Sequence, residues 1–450
     1  MSCHTTLTQL TQLLAAKPFN LANTTLASTC TGIATDTRNL QPGEIFVALR
    51  GEKFDGHEFV SVAIQKGAIA AIVDRCFEIT NIPVPLLQVA DTLQAYQKIA
   101  SWWRDQFDIP TIGVTGSVGK TTTKELIAAV LATRGNVLKT HANYNNEIGV
   151  PKTLLELGTH DYAVIEMAMR ATGEIALLTQ IVRPTIGVIV NVGTAHIERL
   201  GSEEAIANAK CELLAQMPAS SVAILNQDNP LLIATAKRVW QGETVTYGLE
   251  AGDIKGELID EQTIRVQGVQ LPLPLRGRHN ASNFLAALAV AKVLDIDWSP
   301  LTAGLAVDMP SGRSQRYELP NDVVILDETY NAAPEAMVAS LQLLAQTSGK
   351  RRIAVLGAMK ELGERSLQLH QKVGGMVRQL NIDLLLVLVD GADAEAIALS
   401  AEGIPSECFT THADLLQRLK EIVRDGDRIL FKAAHSVGLD RIVNQFRADV

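Results

Sequence analysis

The sequence has few cysteines, and their pattern does not suggest a structural framework. Its 450 residues include 5 cysteines. They are Cys3, Cys30, Cys76, Cys211 and Cys408, an odd number without Cys-x-x-Cys spacing. This favours reduced, mostly buried thiols in the cytosol over disulfides or a zinc site.

Long hydrophobic runs and an excess of positive charge are also missing. No apolar segment approaches the ~20 residues of a membrane span, and the longest one, Leu384–Val389, fits a buried strand. The N-terminus lacks the basic-then-apolar pattern of a secretion signal. A net charge of -9 and a pI near 5.6 argue against general nucleic-acid or membrane-surface binding. We therefore expect a cytoplasmic protein that holds any anionic ligand in a local site.

The order of apolar segments predicts an α/β protein with three domains. A chain of 450 residues is too long for one core. From residue 110 onward, apolar strands alternate with amphipathic helices, which is typical of largely parallel sheets covered on both faces. A polar, β-like segment at 240–275 interrupts the alternation, which starts again after 308–313. We predict a small N-terminal α/β domain, a central P-loop-type domain with a mostly parallel sheet, and a C-terminal Rossmann-like domain, with the boundaries 1–90, 91–312 and 313–450.

The patterns also predict individual elements after residue 110. Strands are expected at 111–116, 137–140, 162–169, 185–192, 221–226, 323–327, 352–357, 384–389 and 428–432. Helices are expected at 122–134, 174–182, 203–216 and 281–294.

A glycine-rich turn between a predicted strand and a predicted helix is the most informative segment. It reads Thr-Gly-Ser-Val-Gly-Lys-Thr at 115–121, a shorter turn than the usual P-loop. Such a turn directs backbone N–H groups and a helix N-terminus at an anion. Lys120 can reach the outer phosphates of a nucleotide, and the Thr121 hydroxyl can hold Mg²⁺. The predicted phosphate site consists of Gly116, Ser117, Gly119, Lys120, Thr121 and Thr122.

Polar residues at the ends of the following strands indicate a divalent-metal site. Glu166 lies in an otherwise apolar strand, where a lone acid is costly unless it is paired or metal-bound. His196 follows the next strand and, taken alone, is better explained as a hydrogen-bonded loop residue. Together with Thr121, these residues make a metal site the better interpretation. Mg²⁺ takes mainly oxygen ligands, so His196 would be a minority ligand.

Two other polar segments have equally ordinary explanations. The asparagines of 143–146 suit sugar hydroxyls and phosphates, or form a turn. Arg313 suits phosphate oxygens, Asp327 ribose hydroxyls and Tyr330 a base. The alternative is a salt-bridged arginine and a turn capped by Asp327 and Asn331.

These segments together resemble the ATP-dependent Mur ligases of peptidoglycan synthesis, over essentially the whole chain. Thr-Gly-x-x-Gly-Lys-Thr is the phosphate turn of that superfamily. Further segments are similar to the members that add D-alanyl-D-alanine: Thr35–Arg38, Pro42–Ala48, Gly51–His57, Asp327–Pro334 and Val355–Gly363 with His370. The Asp-Tyr-Ala-His and Asn-Pro-Arg motifs expected of the ligases that add the third stem residue are missing from the sequence.

The resemblance implies an activity and its cofactors. It implies an ATP-dependent amide ligase that adds D-alanyl-D-alanine to UDP-N-acetylmuramoyl-tripeptide through an acyl phosphate, giving the pentapeptide, ADP and phosphate. ATP and two Mg²⁺ ions are the expected cofactors, and a cytoplasmic monomer that acts on these small molecules is expected. The alternatives are another Mur-type or folylpolyglutamate-type ligase, or a nucleotide-dependent switch without ligase turnover.

The resemblance also implies roles for residues. Lys120, His196 and Lys210 would be catalytic, and Thr121, Glu166, His196 and Lys210 would be the metal ligands. Lys210, which by itself looks like a solvated helix lysine, would be carbamylated, and this requires a neutral amine and a lowered pKa. The adenosine would contact Asn280, Asp327 and Tyr330, and Arg313 would reach phosphate when the third domain closes. The UDP-linked substrate would contact Thr35, Arg38, Lys53, His57, Asn143, Asn145, Asn146 and Asn331.

The sequence departs from the family pattern at four places. Ala142 and Ala168 stand where glycines are usual, and Ala358 replaces an aspartate. Phe431–Ser436 stands where Lys-Gly-Ser-Arg is typical, so a usual arginine is missing near the expected dipeptide site. We expect His435 or Lys432 to substitute for it.

Overall fold

A computed structural model describes residues 3–21, 27–78 and 84–449 of the chain. The strands are β1 (Thr5–Thr6), β2 (Lys17–Phe19), β3 (Thr29–Cys30), β4 (Ile33–Ala34), β5 (Ile45–Val47), β6 (Ala70–Asp74), β7 (Leu86–Val89), β8 (Thr111–Thr115), β9 (Val137–Lys139), β10 (Tyr162–Glu166), β11 (Ile186–Ile189), β12 (Val222–Asn226), β13 (Glu243–Gly248), β14 (Ile254–Leu258), β15 (Thr263–Val266), β16 (Val269–Pro272), β17 (Gln315–Leu319), β18 (Val323–Asp327), β19 (Arg351–Gly357), β20 (Leu384–Leu388), β21 (Ser406–Phe409) and β22 (Asp427–Lys432). The helices are α1 (Leu7–Leu14), α2 (Val60–Gln65), α3 (Thr92–Arg104), α4 (Lys120–Leu131), α5 (Gly149–Leu154), α6 (Glu174–Val182), α7 (Ile197–Leu200), α8 (Glu203–Gln216), α9 (Pro230–Val239), α10 (Arg278–Val293), α11 (Pro334–Gln346), α12 (Ser366–Gln379), α13 (Ala392–Ser400), α14 (His412–Ile422) and α15 (Leu439–Asp449).

The N-terminal sheet is small and mostly parallel. Its order is β2-β7-β6-β5-β4, with β2 antiparallel to its neighbour. The predicted domain 1–90 includes residues 1–2, 22–26 and 79–83, which lie outside the described residues. Leu7 of α1 and Tyr96 of α3 belong to the same apolar cluster as Ile165 of β10, so these two helices connect the N-terminal part to the central sheet.

The central sheet has the order β16-β15-β14-β13-β12-β11-β8-β10-β9. Strands β8 to β14 pair in parallel, whereas β15 and β16 continue the sheet as antiparallel edge strands. The polar segment at 240–275, which interrupts the alternation in the sequence, is therefore the edge of this sheet. Helices α4 and α10 pack against one face through residues such as Leu126 and Leu285. No helix in the described part of the chain is long and apolar enough to cross a membrane.

The C-terminal sheet has the order β17-β18-β22-β19-β20-β21. All pairs are parallel except β17 with β18. The loops after β18, β19 and β22 leave from the carboxyl ends of neighbouring strands, which is where open α/β sheets bind ligands. Each of these loops carries residues of the site described below.

Most elements predicted after residue 110 are present, and several ends differ. The helices at 174–182 and 203–216 have the predicted bounds. Strand β10 stops at Glu166 and not at 169, because its partner β8 turns into the glycine-rich loop after Thr115. Helix α4 begins at Lys120, two residues earlier than expected, because Gly119 at a φ of 80° serves as its N-cap.

Candidate active site

The glycine-rich turn joins β8 to the N-terminus of α4, as the sequence predicts. Gly119 has a φ of 80°, in the region that favours glycine. The Lys120 ammonium donates to the carbonyl oxygens of Gly116 at 2.8 Å and Ser117 at 3.3 Å, so this side chain lies over its own turn. Thr122 follows in α4 and is buried. The arrangement leaves a cation and a helix N-terminus at one place, as an anion site requires.

The segment after β11 holds the turn in place. The backbone N–H of Val118 donates to Asn191 Oδ1 at 3.0 Å, and Asn191 Nδ2 donates back to the Val118 carbonyl at 3.0 Å. Ser117 Oγ accepts from the Gly193 N–H at 2.9 Å. Because both sides of the turn are tied to the neighbouring strand, its shape does not depend on glycine flexibility alone.

Glu166 ends β10 next to the turn and is almost fully buried. Its Oε2 accepts from the Thr121 hydroxyl at 2.9 Å, and its Oε1 accepts from Asn145 Nδ2 at 2.8 Å. Its backbone N–H donates to Thr140 Oγ1 at 2.9 Å. A buried carboxylate with two donors is well satisfied, which explains how a lone acid is tolerated in an apolar strand. No group of three or more His, Cys, Asp or Glu side chains that could hold a metal occurs among residues 3–21, 27–78 and 84–449.

Lys120, Lys210 and His196 lie close enough to influence one another electrostatically. Burial lowers the pKa of Lys120, against a smaller opposing effect of Glu166. Lys210 in α8 is 1% exposed, and burial followed by the charge of Lys120 holds its pKa well below the usual value. Burial, and then Lys120, lower the pKa of His196, with Glu361 opposing. The structure thus brings the three predicted catalytic residues to one site.

His196 connects the central sheet to the C-terminal domain. Its backbone has a φ of 65°, and its Nδ1 lies 2.5 Å from Glu361 Oε2 in the loop after β19. In the described part of the chain, Nε2 has no hydrogen-bond partner. A histidine that pairs one ring nitrogen with a carboxylate and leaves the other available has the usual arrangement of a metal ligand.

Arg313 and Tyr330 stack on each other beside the C-terminal sheet. The Arg313 guanidinium carbon lies 3.8 Å from the centre of the Tyr330 ring, and the His435 ring stacks on Tyr330 at 5.5 Å. Asp327 Oδ1 accepts from both the N–H and the hydroxyl of Thr329, at 3.1 and 2.6 Å. Burial raises the pKa of Asp327. Arg313 is also close enough to Lys120 to lower its pKa, which links this group to the phosphate turn.

Asn280 and Asn283 lie at the start of α10, next to both groups. Asn280 is 2% exposed, and its Nδ2 donates to the Arg276 carbonyl at 2.8 Å. A Cβ added at Gly119 would lie 2.9 Å from Asn283 Oδ1. Asn283 therefore contacts the phosphate turn directly, although the sequence analysis did not single it out.

The predicted residues of the N-terminal domain lie apart from this cluster. Arg38 is exposed and pairs with Asp36 at 2.6 Å, and this contact lowers the pKa of Asp36 to about 2. Thr35 is half-buried and Lys53 is exposed. His57 is buried, with Nδ1 2.6 Å from Asp55 Oδ1 and Nε2 accepting the N–H of Asp74. Both ring nitrogens of His57 are thus used inside the domain.

The asparagine segment precedes α5 and contacts Glu166. Asn145 reaches Glu166, whereas Asn143 is exposed. Asn146 Oδ1 accepts the N–H groups of Ile148 and Gly149, so this side chain stabilises the turn that leads into α5. Asn331 lies in the loop after β18, and its carbonyl accepts from Lys432 at 3.0 Å.

Three family models match successive parts of the chain. The "Mur ligase family, catalytic domain" matches residues 29–104, the "Mur ligase middle domain" 114–291, and the "Mur ligase, glutamate ligase domain" 312–435. The UDP-N-acetylmuramoyl-tripeptide–D-alanyl-D-alanine ligase of Synechocystis sp. is 58% identical over 418 residues, which cover 93% of this chain and 92% of that protein. The chain belongs to the Mur ligase family.

Solved structures agree with this assignment. The crystal structure of MurF from Acinetobacter baumannii matches with a TM-score of 0.88 at 30% identity over 99% of both chains. MurF from Thermotoga maritima in complex with ADP matches with a TM-score of 0.84 at 30% identity, over 93% of this chain and 97% of that one. The Mur ligase resemblance and the three-domain α/β class predicted from the sequence are confirmed.

Of the two alanines that stand where glycines are usual in the family, Ala142 keeps a backbone conformation typical of glycine. Ala142 has a φ of 47°, a conformation that suits glycine better than alanine. Ala168, at the second such position, is not among the positive-φ residues of the described chain. Ala358 is buried after β19. Lys432 donates to the carbonyls of Glu328 and Asn331, so it supports the loop after β18.

Two acids of the C-terminal domain that were not predicted as site residues contact the segment after β11, which holds the phosphate turn. Glu361 contacts His196, and Glu335 at the start of α11 contacts Thr194. Glu361 lies within a segment that carried the family resemblance, which was the only signal for it. For Glu335, the sequence offers only an acid in the first turn of a helix, which is a common feature.

Proposed function

We propose that this Mur ligase adds D-alanyl-D-alanine to UDP-N-acetylmuramoyl-tripeptide at the expense of ATP. The observation that carries the proposal is the convergence of Lys120, His196 and Lys210 at one phosphate turn. The names of the relatives supply the substrates. The terminal carboxylate of the tripeptide attacks the γ-phosphorus of ATP and releases ADP. The amine of the dipeptide then attacks the acyl phosphate, forms the amide and releases phosphate with loss of a proton.

Cationic side chains serve the first step. A carboxylate and a triphosphate repel each other, so fixed positive charges that meet the developing charge lower the barrier. Lys120 is the group for the outer phosphates, since it already lies over the turn. Arg313 adds a second cation from the C-terminal domain, and its guanidinium suits phosphate oxygens.

The residues around Glu166 fit Mg²⁺. This ion prefers oxygen ligands and is usually bound by one or two carboxylates together with phosphates and water. Thr121 and Glu166 supply such oxygens, with Asn145 orienting the carboxylate, and bound Mg²⁺ would neutralise phosphate charge. His196 and a carbamylated Lys210 are the proposed ligands of a second ion. The low pKa of Lys210 supports this role, because only the neutral amine adds CO₂.

The nucleotide and the UDP-linked substrate use different regions. Asn280, Asp327 and Tyr330 are the proposed contacts of adenine and ribose, with Arg313 already on the ring of Tyr330. The proposed substrate contacts are Thr35, Arg38, Lys53, His57, Asn143, Asn145, Asn146 and Asn331. His57 would act through the loop that it holds, because both of its ring nitrogens are engaged.

We keep three further proposals from the sequence. The domain boundaries are 1–90, 91–312 and 313–450, the enzyme is cytoplasmic, and it acts as a monomer. The low number of cysteines and their reduced state in the described chain support the second proposal.

The decisive experiment is phosphate release from ATP with UDP-N-acetylmuramoyl-tripeptide, with and without D-alanyl-D-alanine. We expect release that depends on both, with a product heavier by the dipeptide, and loss of turnover in Lys120→Ala. Release with another amino acid in place of the dipeptide would indicate a different member of the family. Hydrolysis of ATP without any muramoyl peptide would favour a nucleotide-dependent switch.

A further inference from the structure

Glu335 reaches from the C-terminal domain to the segment that holds the phosphate turn. Its Oε1 accepts from the Thr194 N–H at 2.8 Å and from the Thr194 hydroxyl at 2.9 Å. Thr194 is 7% exposed and Glu335 is half-buried, so both hydrogen bonds are partly shielded from water. Hydrogen bonds to an ionised carboxylate are stronger than those between neutral groups, and this contact therefore contributes to docking of the domain.

The neighbouring glycine leaves the space that this contact needs. A Cβ at Gly193 would lie 2.9 Å from Cδ and Oε1 of Glu335 and 3.3 Å from Cγ, and these are the three atoms nearest to it. Gly193 is not among the positive-φ glycines of the described chain, so its backbone would accept alanine. The close approach of Glu335 is thus the reason that a side chain does not fit at this position.

Gly193 also connects this contact to the phosphate turn. Its N–H donates to Ser117 Oγ at 2.9 Å, and Ser117 Oγ donates to the Gly193 carbonyl at 3.3 Å. Glu335, Thr194, Gly193 and Ser117 thus form one continuous series of contacts between the two domains. Glu335 Oε2 is buried and has no hydrogen-bond partner among the described residues, so Oε1 alone makes the contact to Thr194.

We propose that Glu335 is a positioning residue that couples docking of the C-terminal domain to the geometry of the phosphate turn. Only the expected changes in kcat/KM rest on the proposed ligase function. The docking contact itself can be tested without turnover.

The kinetic test compares two substitutions of one residue. Glu335→Ala removes the acceptor, and we expect kcat/KM for ATP to fall about 10- to 100-fold, since bonds to a charged group are strong and about 1.4 kcal/mol corresponds to a factor of ten. Glu335→Gln keeps an oxygen acceptor of the same reach without the charge, so we expect a smaller loss, about 3- to 10-fold. Glu402→Ala, in the same domain with a side chain 86% exposed, is the matched control and should not change turnover.

Gly193→Ala tests the coupling from the other side. Its methyl group would push Glu335 away, so we expect a loss similar to that of Glu335→Ala. The double variant should lose no more than either single variant, because both remove the same contact. If the losses of kcat/KM in the two single variants multiplied in the double variant, the two residues would act independently, and this would overturn the proposal. A wild-type kcat/KM in Glu335→Ala would also overturn it.

Hydrogen–deuterium exchange of the peptide that contains Thr194 tests docking directly. In full-length protein with ADP, we expect faster exchange at this peptide in Glu335→Ala, a smaller increase in Glu335→Gln and wild-type exchange in Glu402→Ala. Equal exchange in wild type and Glu335→Ala would overturn the proposal whatever the enzyme's substrate is. Absence of ligase activity in wild type with the expected exchange pattern would instead count against the proposed function alone.

Discussion

Replacing Thr121 by valine removes one hydroxyl from the metal-binding region and keeps the shape of the side chain. Thr121 is 3% exposed and donates at 2.9 Å to Glu166, which is 2% exposed. A lost hydrogen bond to a buried carboxylate costs about 1.5–3 kcal/mol of the free energy of unfolding. For a domain of 150–250 residues this corresponds to a midpoint of thermal unfolding lowered by ~3–12 °C.

The same substitution should impair catalysis by a separate route. If the Thr121 hydroxyl holds Mg²⁺, its loss removes transition-state stabilisation and should lower kcat by about 100-fold or more. We also expect a higher Mg²⁺ concentration at half-maximal rate. Thr121→Ser keeps the hydroxyl, and we expect it to stay close to wild type in Mg²⁺ dependence. Wild-type kcat and Mg²⁺ dependence in Thr121→Val would refute the assignment, even if the unfolding midpoint falls as calculated.

Three other substitutions test further parts of the site. Lys210→Ala should lower turnover about 100- to 1000-fold, and added acetate or formate should restore part of the activity. Wild-type activity of this variant without additive would show that no carbamate is needed. Ala142→Gly should stabilise the fold by up to about 1 kcal/mol, whereas Ala168→Gly should destabilise it by about 0.4–1 kcal/mol in urea unfolding, because only the first position has a positive φ. Equal signs for the two would contradict this reasoning. Burial raises the folded-state pKa of Asp327 above its unfolded value, so its favourable contribution is present at low pH and is lost as pH rises through the folded pKa. Asp327→Asn, which can still accept from Thr329, should therefore raise the midpoint of thermal unfolding at pH 7 and lower kcat/KM for ATP. The difference in midpoint from wild type should vanish near pH 3. A difference in midpoint that does not depend on pH would count against this explanation.

The phosphate turn could be predicted because its determinants are local. A buried strand, a glycine-rich turn and a helix follow one another within 111–131, so the sequence order is also the spatial order. Glu166 and His196 could be added because parallel strands end at one edge of a sheet. Lys210 is different, since only the family resemblance indicated that a lysine in a polar helix would be 1% exposed.

Contacts between domains could not be derived from the sequence in this way. Glu335 lies 141 positions after Thr194, and Glu361 lies 165 positions after His196. No local pattern reports that these pairs meet, because their contact depends on how the C-terminal sheet is placed against the central one. Asn283 was missed for a related reason, since α10 follows the edge strands and returns to the phosphate turn only in the folded chain.

The distribution of charge explains why closure of the domains and the chemistry are connected. The chain carries a net charge of -9, yet Lys120 lies close enough to both Lys210 and Arg313 to interact with them. Burial has already lowered the pKa of Lys120, which means that the folded protein holds this cation at a cost. Arg313 of the C-terminal domain adds to that cost, and anionic phosphates would relieve it. The positive charges of this site are balanced only when its anionic ligands are bound and its domains are together. This is the state in which the reaction would take place.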